Sequence, residues 1–168
     1  EVVILLDQSY SLGYADRWGR AQAAASEAID GLGPADRGSV VLFASGAEIA
    51  LRSVAVGERD RLQAAIDVAE PTAGATRFSP ALKVAGGILA DSALPRREVV
   101  LISDFQRGGW RGEEGASLPD GATVTTVQIV DDAVREGCLR EVAAGGVQDP
   151  LGLAGRAGRI EDEEGIFG

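Results

Sequence analysis

Residues 2–11 read VVILLDQSYS, and this stretch decides the fold class of the chain. Val2 to Leu6 are continuously apolar, and three of the five are β-branched. Such a run predicts a strand that is buried on both faces of a sheet, because a surface strand would alternate apolar and polar residues. Asp7 ends the run and polar residues follow at once, so the chain is expected to leave the sheet there.

The rest of the chain alternates between strand and helix patterns. Apolar residues at helical spacing predict helices over 16–32, 58–69 and 79–94, the last with Ser79 as its N-cap and Pro80 at its first helical position. Apolar and β-branched runs predict further strands over 39–44, 48–56, 98–102 and 122–130. Only a short turn separates 39–44 from 48–56, so these two strands are expected to pair antiparallel. The pattern predicts an α/β fold: a doubly wound, mostly parallel sheet flanked by helices, with one antiparallel edge strand.

The organisation along the 168 residues predicts a single folded domain over 1–144. Residues 145–168 are rich in glycine, include an acidic run and show no periodicity, and they are expected to form a loosely ordered tail. The chain holds no methionine and opens inside an apolar run, so we expect it to be a soluble domain of a longer protein.

Charge and residue usage exclude several classes of function. The 26 acidic residues outnumber the 16 basic ones, and this net charge of -10 argues against binding to nucleic acid. The absence of histidine excludes catalysis by a Ser-His-Asp or Cys-His set and every metal site built on imidazole. The single cysteine cannot form an internal disulfide or a thiolate cage. Only oxygen ligands remain, so a bound metal would be a hard cation such as Mg²⁺, Mn²⁺ or Ca²⁺.

Polar residues at the ends of two predicted strands suggest such a cation site. Asp7 closes the first strand and Asp104 follows the fourth, and ligands of open α/β sheets bind beyond these carboxyl ends. Ser9 and Ser11 alternate with Asp7, so an extended chain would point all three side chains to one side. Thr76 adds a hydroxyl from the loop before the third helix. Two carboxylates and three hydroxyls would suit Mg²⁺ and would leave a coordination position open.

Two simpler interpretations remain open for these residues. Ser9 and Ser11 can also cap the turn after the strand, with Asp7 accepting hydrogen bonds from backbone amides. Thr72 lies in the same loop as Thr76 and offers the same hydroxyl group, so the residues alone leave this choice open.

The same five residues resemble the metal-ion-dependent adhesion site (MIDAS) of the von Willebrand factor type A domain. That family has Asp-x-Ser-x-Ser after the first strand, a threonine in a middle loop and an aspartate after the fourth strand. Asp7, Ser9, Ser11, Thr76 and Asp104 match this pattern within residues 1 to about 130. The resemblance implies that the three hydroxyls bind the metal and that the two aspartates bind it directly or through water. The family's glycine after the last aspartate is Phe105 here.

Two runs, DQSYS at 7–11 and ISDFQRGGW at 102–110, are similar to one bacterial branch of that family. This branch comprises aerotolerance-type (Bat-like) proteins, which are anchored in the membrane by an N-terminal double-transmembrane region. The resemblance implies a non-enzymatic, Mg²⁺-dependent adhesion module that captures an Asp or Glu carboxylate of a protein partner. The parent protein would be membrane-anchored, with no membrane contact by this fragment. Two alternatives are a metal-dependent hydrolase or phosphotransferase and a structural domain with a degenerate metal site.

Overall fold

A five-stranded sheet forms the centre of the computed structural model, which describes residues 1–110 and 118–130. Within this part of the chain, the strands are β1 (Val2–Asp7), β2 (Arg37–Phe43), β3 (Ala47–Ala55), β4 (Glu98–Ser103) and β5 (Thr123–Gln128). Their order across the sheet is β3-β2-β1-β4-β5. All neighbouring pairs are parallel except β2 and β3, so the predicted sheet with one antiparallel edge strand is confirmed.

Three α-helices flank the sheet in the described part of the chain: α1 (Arg17–Asp30), α2 (Arg59–Asp67) and α3 (Phe78–Asp91). Asp16 holds the N-cap position of α1, but its side chain makes no capping hydrogen bond. The predicted start of α3 is wrong by two residues, because Arg77 is the N-cap and Ser79 and Pro80 lie in the first turn. Proline is tolerated there because the first backbone N–H groups of a helix have no partner within the helix.

The helices cover both faces of the sheet, as expected for a doubly wound fold. Val2, Ile4 and Leu6 of β1 pack with α1 and α2 in one buried cluster. Val3 and Leu5 point the other way and pack with α3 in a second cluster. Because successive side chains of a strand point to opposite faces, the continuous apolar run of β1 supplies both halves of the core.

The strand order positions the residues predicted to bind the cation. β1 lies between β2 and β4, and the chain crosses to opposite sides of β1 to reach them, so the topology switches there. Leu6 pairs with Ile102, which places Asp7 level with Ser103 and one residue before the level of Asp104. Ligands of open α/β sheets bind beyond the carboxyl ends of strands at such a switch point.

Residues Glu1–Asp131 form one compact unit. The predicted division between 144 and 145, and the predicted tail over 145–168, lie outside the described residues.

No helix among residues 1–110 and 118–130 is both long enough and apolar enough to cross a bilayer.

Candidate metal centre

Asp7 is the centre of the polar cluster at the carboxyl end of the sheet. Its side chain is completely buried, although it ends an otherwise apolar strand. Asp7 Oδ1 accepts a hydrogen bond of 2.8 Å from the backbone N–H of Ser9. Aspartate commonly stabilises a turn by accepting from the amide two residues on, and here this bond redirects the chain into a short 3₁₀ turn over Tyr10–Gly13.

The hydroxyl groups of Ser9, Ser11 and Thr76 form a connected chain that reaches the Asp7 carboxylate. Ser9 Oγ lies 3.2 Å from Ser11 Oγ. Thr76 Oγ1 lies 2.8 Å from Ser9 Oγ and 3.3 Å from Asp7 Oδ2. The structure therefore brings Asp7, Ser9, Ser11 and Thr76 into one network, although Thr76 is distant in sequence.

Thr72, the alternative to Thr76, is directed elsewhere. Its hydroxyl donates to the backbone carbonyl of Gln8 at 3.0 Å and accepts from the amide of Gly74 at 3.3 Å. These bonds hold the loop before α3 against the loop after β1. Thr72 therefore shapes the loop, while Thr76 supplies the hydroxyl of the cluster.

Asp104 lies beside this network and makes no hydrogen bond to its four members. Its side chain is only 6% exposed, and Oδ2 lies 3.5 Å from the Arg17 guanidinium. Gln106 also donates to Oδ2, at 3.2 Å. Oδ1 is buried and has no hydrogen-bond partner within residues 1–110 and 118–130. A buried carboxylate oxygen without a donor is costly, so this atom fits a site that holds a cation.

The electrostatics of Asp7 also favour a cation. Burial raises the pKa of Asp7, because it removes the carboxylate from water, and the nearby charge of Asp104 acts in the same direction. Hydrogen bonds from Ser103 and Ser9 lower the pKa but do not reverse the shift. A divalent cation between the two aspartates would relieve both the desolvation and the mutual repulsion.

Ser103 is a residue of this cluster that the sequence analysis missed. It is completely buried, and its hydroxyl donates to Asp7 Oδ2 at 2.5 Å. Ser103 Oγ also accepts a hydrogen bond from the backbone N–H of Phe105 at 3.1 Å. Ser103 thus ties the Asp7 carboxylate to the loop that carries Asp104. Its position directly before Asp104, at the end of a strand neighbouring β1, is the signal that could have identified it.

The loop after β4 packs closely over Thr76. A methyl group on Gly109 would lie 2.9 Å from the Phe78 ring and 3.1 Å from Thr76 Cγ2, so only glycine allows this approach. Phe105 has a φ of 51°, in the left-handed region that favours glycine. The phenylalanine thus keeps a backbone conformation suited to the glycine of the family pattern. Its ring stacks on Phe78 with centroids 5.7 Å apart.

An open cavity of about 570 Å³ lies over the hydroxyl groups. Ser9, Ser11 and Thr76 line it, together with Arg17, Gln106 and the highly exposed Tyr14. Solvent therefore reaches the hydroxyl groups through the cavity. The carboxylates of Asp7 and Asp104 are buried and do not line it.

Comparisons of this chain with known proteins support the same fold. The sequence model of the von Willebrand factor type A domain matches residues 2–107. No match was found among curated proteins. An aerotolerance-related membrane protein from Bacteroides fragilis is 20% identical, with a TM-score of 0.60 over 76% of this chain and 66% of that one. BatB from Bacteroides thetaiotaomicron is 15% identical, with a TM-score of 0.57 over 85% of this chain and 97% of that one.

A third similar structure was determined with a metal. Proximal thread matrix protein 1 from the mussel byssus, with zinc in its MIDAS motif, is 17% identical, with a TM-score of 0.56. The alignment covers 76% of this chain and 37% of that one, and identities this low establish only the shared fold. The family model spans more than half of the sequence. The observed strand order places β1 beside β4, which brings together the parts of the motif that follow these two strands. This chain belongs to the von Willebrand factor type A domain family.

Proposed function

We propose that this domain is a divalent-cation-dependent protein-binding module that captures a carboxylate group of a protein partner. One observation carries the proposal: the oxygens of Asp7, Ser9, Ser11 and Thr76 cluster beside a buried, unpartnered oxygen of Asp104, beneath an open cavity. Carboxylate and hydroxyl oxygens form a ligand set for a hard cation, and the cavity gives a partner access to it.

Each residue of the cluster has a role in this proposal. Ser9, Ser11 and Thr76 would hold the cation through their hydroxyl oxygens, while Asp7 and Asp104 would balance its charge directly or through water. A cation bound there would act as a Lewis acid that accepts a carboxylate oxygen of the partner. Mg²⁺ is the cation we expect, with Mn²⁺ and Ca²⁺ as chemically similar alternatives.

Membership of the von Willebrand factor type A family supports a role in protein interaction. The zinc-containing mussel protein shows that this fold can carry a metal at the corresponding motif. We propose a non-enzymatic role because the described side chains lining the cavity are mainly hydroxyls, one amide and one guanidinium. The two nearby carboxylates are assigned to the cation, so neither is left to act as a general acid or base.

The parent protein is proposed to be a membrane-associated bacterial protein. The structural similarity to the aerotolerance-related membrane protein of Bacteroides fragilis supports this assignment.

Calorimetric titration of Mn²⁺ and Mg²⁺ into the wild-type chain and the Asp7→Ala variant tests the cation site. The wild type should bind one ion and the variant none, with Thr72→Val as a control that should bind normally. Acetate added to the Mn²⁺-loaded wild type should displace bound water and lower the relaxation rate of the water protons. Absence of binding in the wild type would leave a structural domain. Esterase or phosphatase turnover that Asp7→Ala abolishes would instead establish an enzyme.

A further inference from the structure

We infer that a groove between Tyr10 and Tyr14 binds an apolar side chain of the protein partner, next to the acidic residue that reaches the cation. The inference rests on the proposed function and specifies its ligand: a peptide segment in which a bulky aliphatic residue neighbours the Asp or Glu. Neither tyrosine had a role in the sequence pattern of the metal site.

The exposed aromatic rings of this domain gather around the cavity over the hydroxyl groups. Among residues 1–110 and 118–130, the most exposed aromatic side chains are Tyr10 at 76%, Tyr14 at 70% and Trp110 at 64%. Both tyrosines line the cavity, and Trp110 directly follows Gly109, which also lines it. Tyrosine and tryptophan are the side chains most enriched where protein interfaces gain binding energy. Their placement around one opening therefore indicates the rim of a binding surface.

A smaller open groove of about 260 Å³ adjoins this cavity. Tyr10, Tyr14 and Ala73 line both, so the groove is continuous with the proposed cation site. Its volume is below the range of cavities that hold whole small-molecule ligands, and it suits a single side chain. The other described residues that line the groove are Gly13, Pro71 and Thr72.

Backbone hydrogen bonds hold together the two loops that form the groove. The N–H of Tyr10 donates to the carbonyl of Gly74 at 2.9 Å. The N–H of Thr72 donates to the carbonyl of Gln8 at 2.6 Å. Because these bonds fix the loop after β1 against the loop before α3, the groove is already formed without a ligand. A preformed groove lowers the entropic cost of binding.

The chemistry of the groove favours an apolar ligand group. None of the described side chains that line it carries a charge. Apart from the two tyrosines, Thr72 supplies the one polar side chain of this described lining, and its hydroxyl already bonds to the Gln8 carbonyl and the Gly74 amide. A charged group or a sugar ring would therefore lose water there and gain few partners. An aliphatic side chain would instead bury its surface against the two rings and Pro71.

The cation and the groove would recognise neighbouring parts of one peptide. Tyr10 lies between Ser9 and Ser11 in the sequence, so its ring stands beside two of the proposed cation ligands. An extended peptide advances about 3.3 Å per residue, which brings a residue next to the bound carboxylate within reach of the groove. Acidic residues are common on protein surfaces, so the apolar neighbour would select one of them.

Chemical-shift titration of capped pentapeptides at saturating Mg²⁺ tests this inference. The reference peptide is Ala-Ala-Glu-Ala-Ala, and four others replace each alanine in turn with leucine. The best leucine peptide should bind the wild type about tenfold more tightly than the reference, as expected for partial burial of a leucine side chain. The gain is a ratio within each protein, so a general change of affinity at the cation cancels.

Variants of the two tyrosines assign the gain to the groove. Tyr10→Ser and Tyr14→Ser should each reduce it to about threefold or less, and both should fold because the rings are exposed. Tyr10→Phe and Tyr14→Phe keep the rings and should retain the gain. Val68→Ser is the matched control and should also retain it, because it removes a side chain that is 78% exposed and does not line the groove.

Mg²⁺ binding by the wild type separates this inference from the proposed function. If the wild type binds Mg²⁺ but gains nothing from leucine, or if both serine variants keep the full gain, the groove inference is overturned and the cation site stands. Two other occupants would overturn it equally: a glucuronate disaccharide whose binding requires the tyrosines, or self-association of the wild type that Tyr14→Ser abolishes. Failure of the wild type to bind Mg²⁺ would overturn both proposals.

Discussion

The two ends of the sheet each bury a carboxylate among hydroxyl groups, but only one end has the features of a binding site. At the amino end of the parallel strands, Glu1 is 1% exposed and accepts hydrogen bonds from Ser39 Oγ at 2.7 Å and Ser53 Oγ at 3.0 Å. Arg37 donates to Ser53 Oγ at 2.8 Å, so a basic group supports this cluster. At the carboxyl end, Asp7 is equally buried and also accepts from hydroxyls, Ser103 among them.

The difference lies in what surrounds each carboxylate. Each oxygen of Glu1 has a hydroxyl donor. Beside Asp7, by contrast, there is a second carboxylate with a buried and unpartnered oxygen, and an open cavity lies above. Burial with hydrogen bonds therefore serves structure at one end of the sheet. Surplus negative charge with access from solvent favours cation binding at the other.

The largest expected effect separates the two carboxylates directly. Asp7→Asn should lower Mn²⁺ affinity by about 100-fold or more, because it removes a negative charge next to the cation. This loss should exceed the loss of affinity expected when only a residue that orients a metal ligand is removed. Glu1→Gln should leave the affinity unchanged, since Glu1 lies at the opposite end of the sheet. Calorimetry on both variants measures the difference. Similar losses in both would show that folding, and not the site, controls metal binding.

Thr76→Val tests how much a single hydroxyl group at the carboxyl end of the sheet contributes to Mn²⁺ affinity. The variant keeps the shape of the side chain but removes Oγ1, and we expect Mn²⁺ affinity to fall by about tenfold or more. Thr72→Val is the matched control from the same loop, and it should bind Mn²⁺ like the wild type. If Thr72→Val weakened binding more than Thr76→Val, the assignment of these two threonines would be reversed.

Ser103→Ala and Ser39→Ala compare the serines that support the two carboxylates. Ser39→Ala leaves Glu1 Oε1 without its hydroxyl donor, and Ser103→Ala leaves Asp7 Oδ2 with only the longer bond from Thr76. Each variant should therefore lose about 1–3 kcal/mol of unfolding free energy in urea. Only Ser103→Ala should also lower Mn²⁺ affinity, by about tenfold, because Ser103 orients Asp7. Equal Mn²⁺ affinity in the two variants would remove Ser103 from the site.

The smallest expected effect is a pH dependence of stability. Because burial raises the pKa of Asp7, the folded state binds this proton more tightly than the unfolded chain. The resulting stabilisation is complete below the ordinary aspartate pKa of about 3.9 and is lost as the pH rises through the raised value. In EDTA, the unfolding free energy of the wild type relative to Asp7→Asn should therefore decrease from pH 4 upward.

Saturating Mg²⁺ should reverse this trend, because protons and the cation compete for Asp7. Urea unfolding of both chains at several pH values measures the relative stability under the two conditions. A difference that does not change with pH in EDTA would mean that Asp7 has an ordinary pKa in the folded chain.

Sequence patterns predicted the fold well because its main signals are local. The apolar run of β1 and the alternation of strands with helices indicated a doubly wound sheet, and Asp7 and Asp104 were expected at one edge of it. The start of α3 was misplaced because Ser79 and Pro80 also fit a first turn, where proline costs little. Ser103 was missed because its role depends on its contact with Asp7, which lies in a distant segment of the chain. Neither the register of β1 against β4 nor the approach of α1 to Asp104 follows from spacing.

Anomalous diffraction from crystals soaked in Mn²⁺ tests the central claim most directly. A single peak should lie between the hydroxyl oxygens of Ser9, Ser11 and Thr76, near the carboxylates of Asp7 and Asp104. Data from Asp7→Asn crystals soaked in the same way should show no peak there. Wild-type crystals with no peak among these side chains, or with Mn²⁺ bound only elsewhere, would contradict the assignment of a cation site at this end of the sheet.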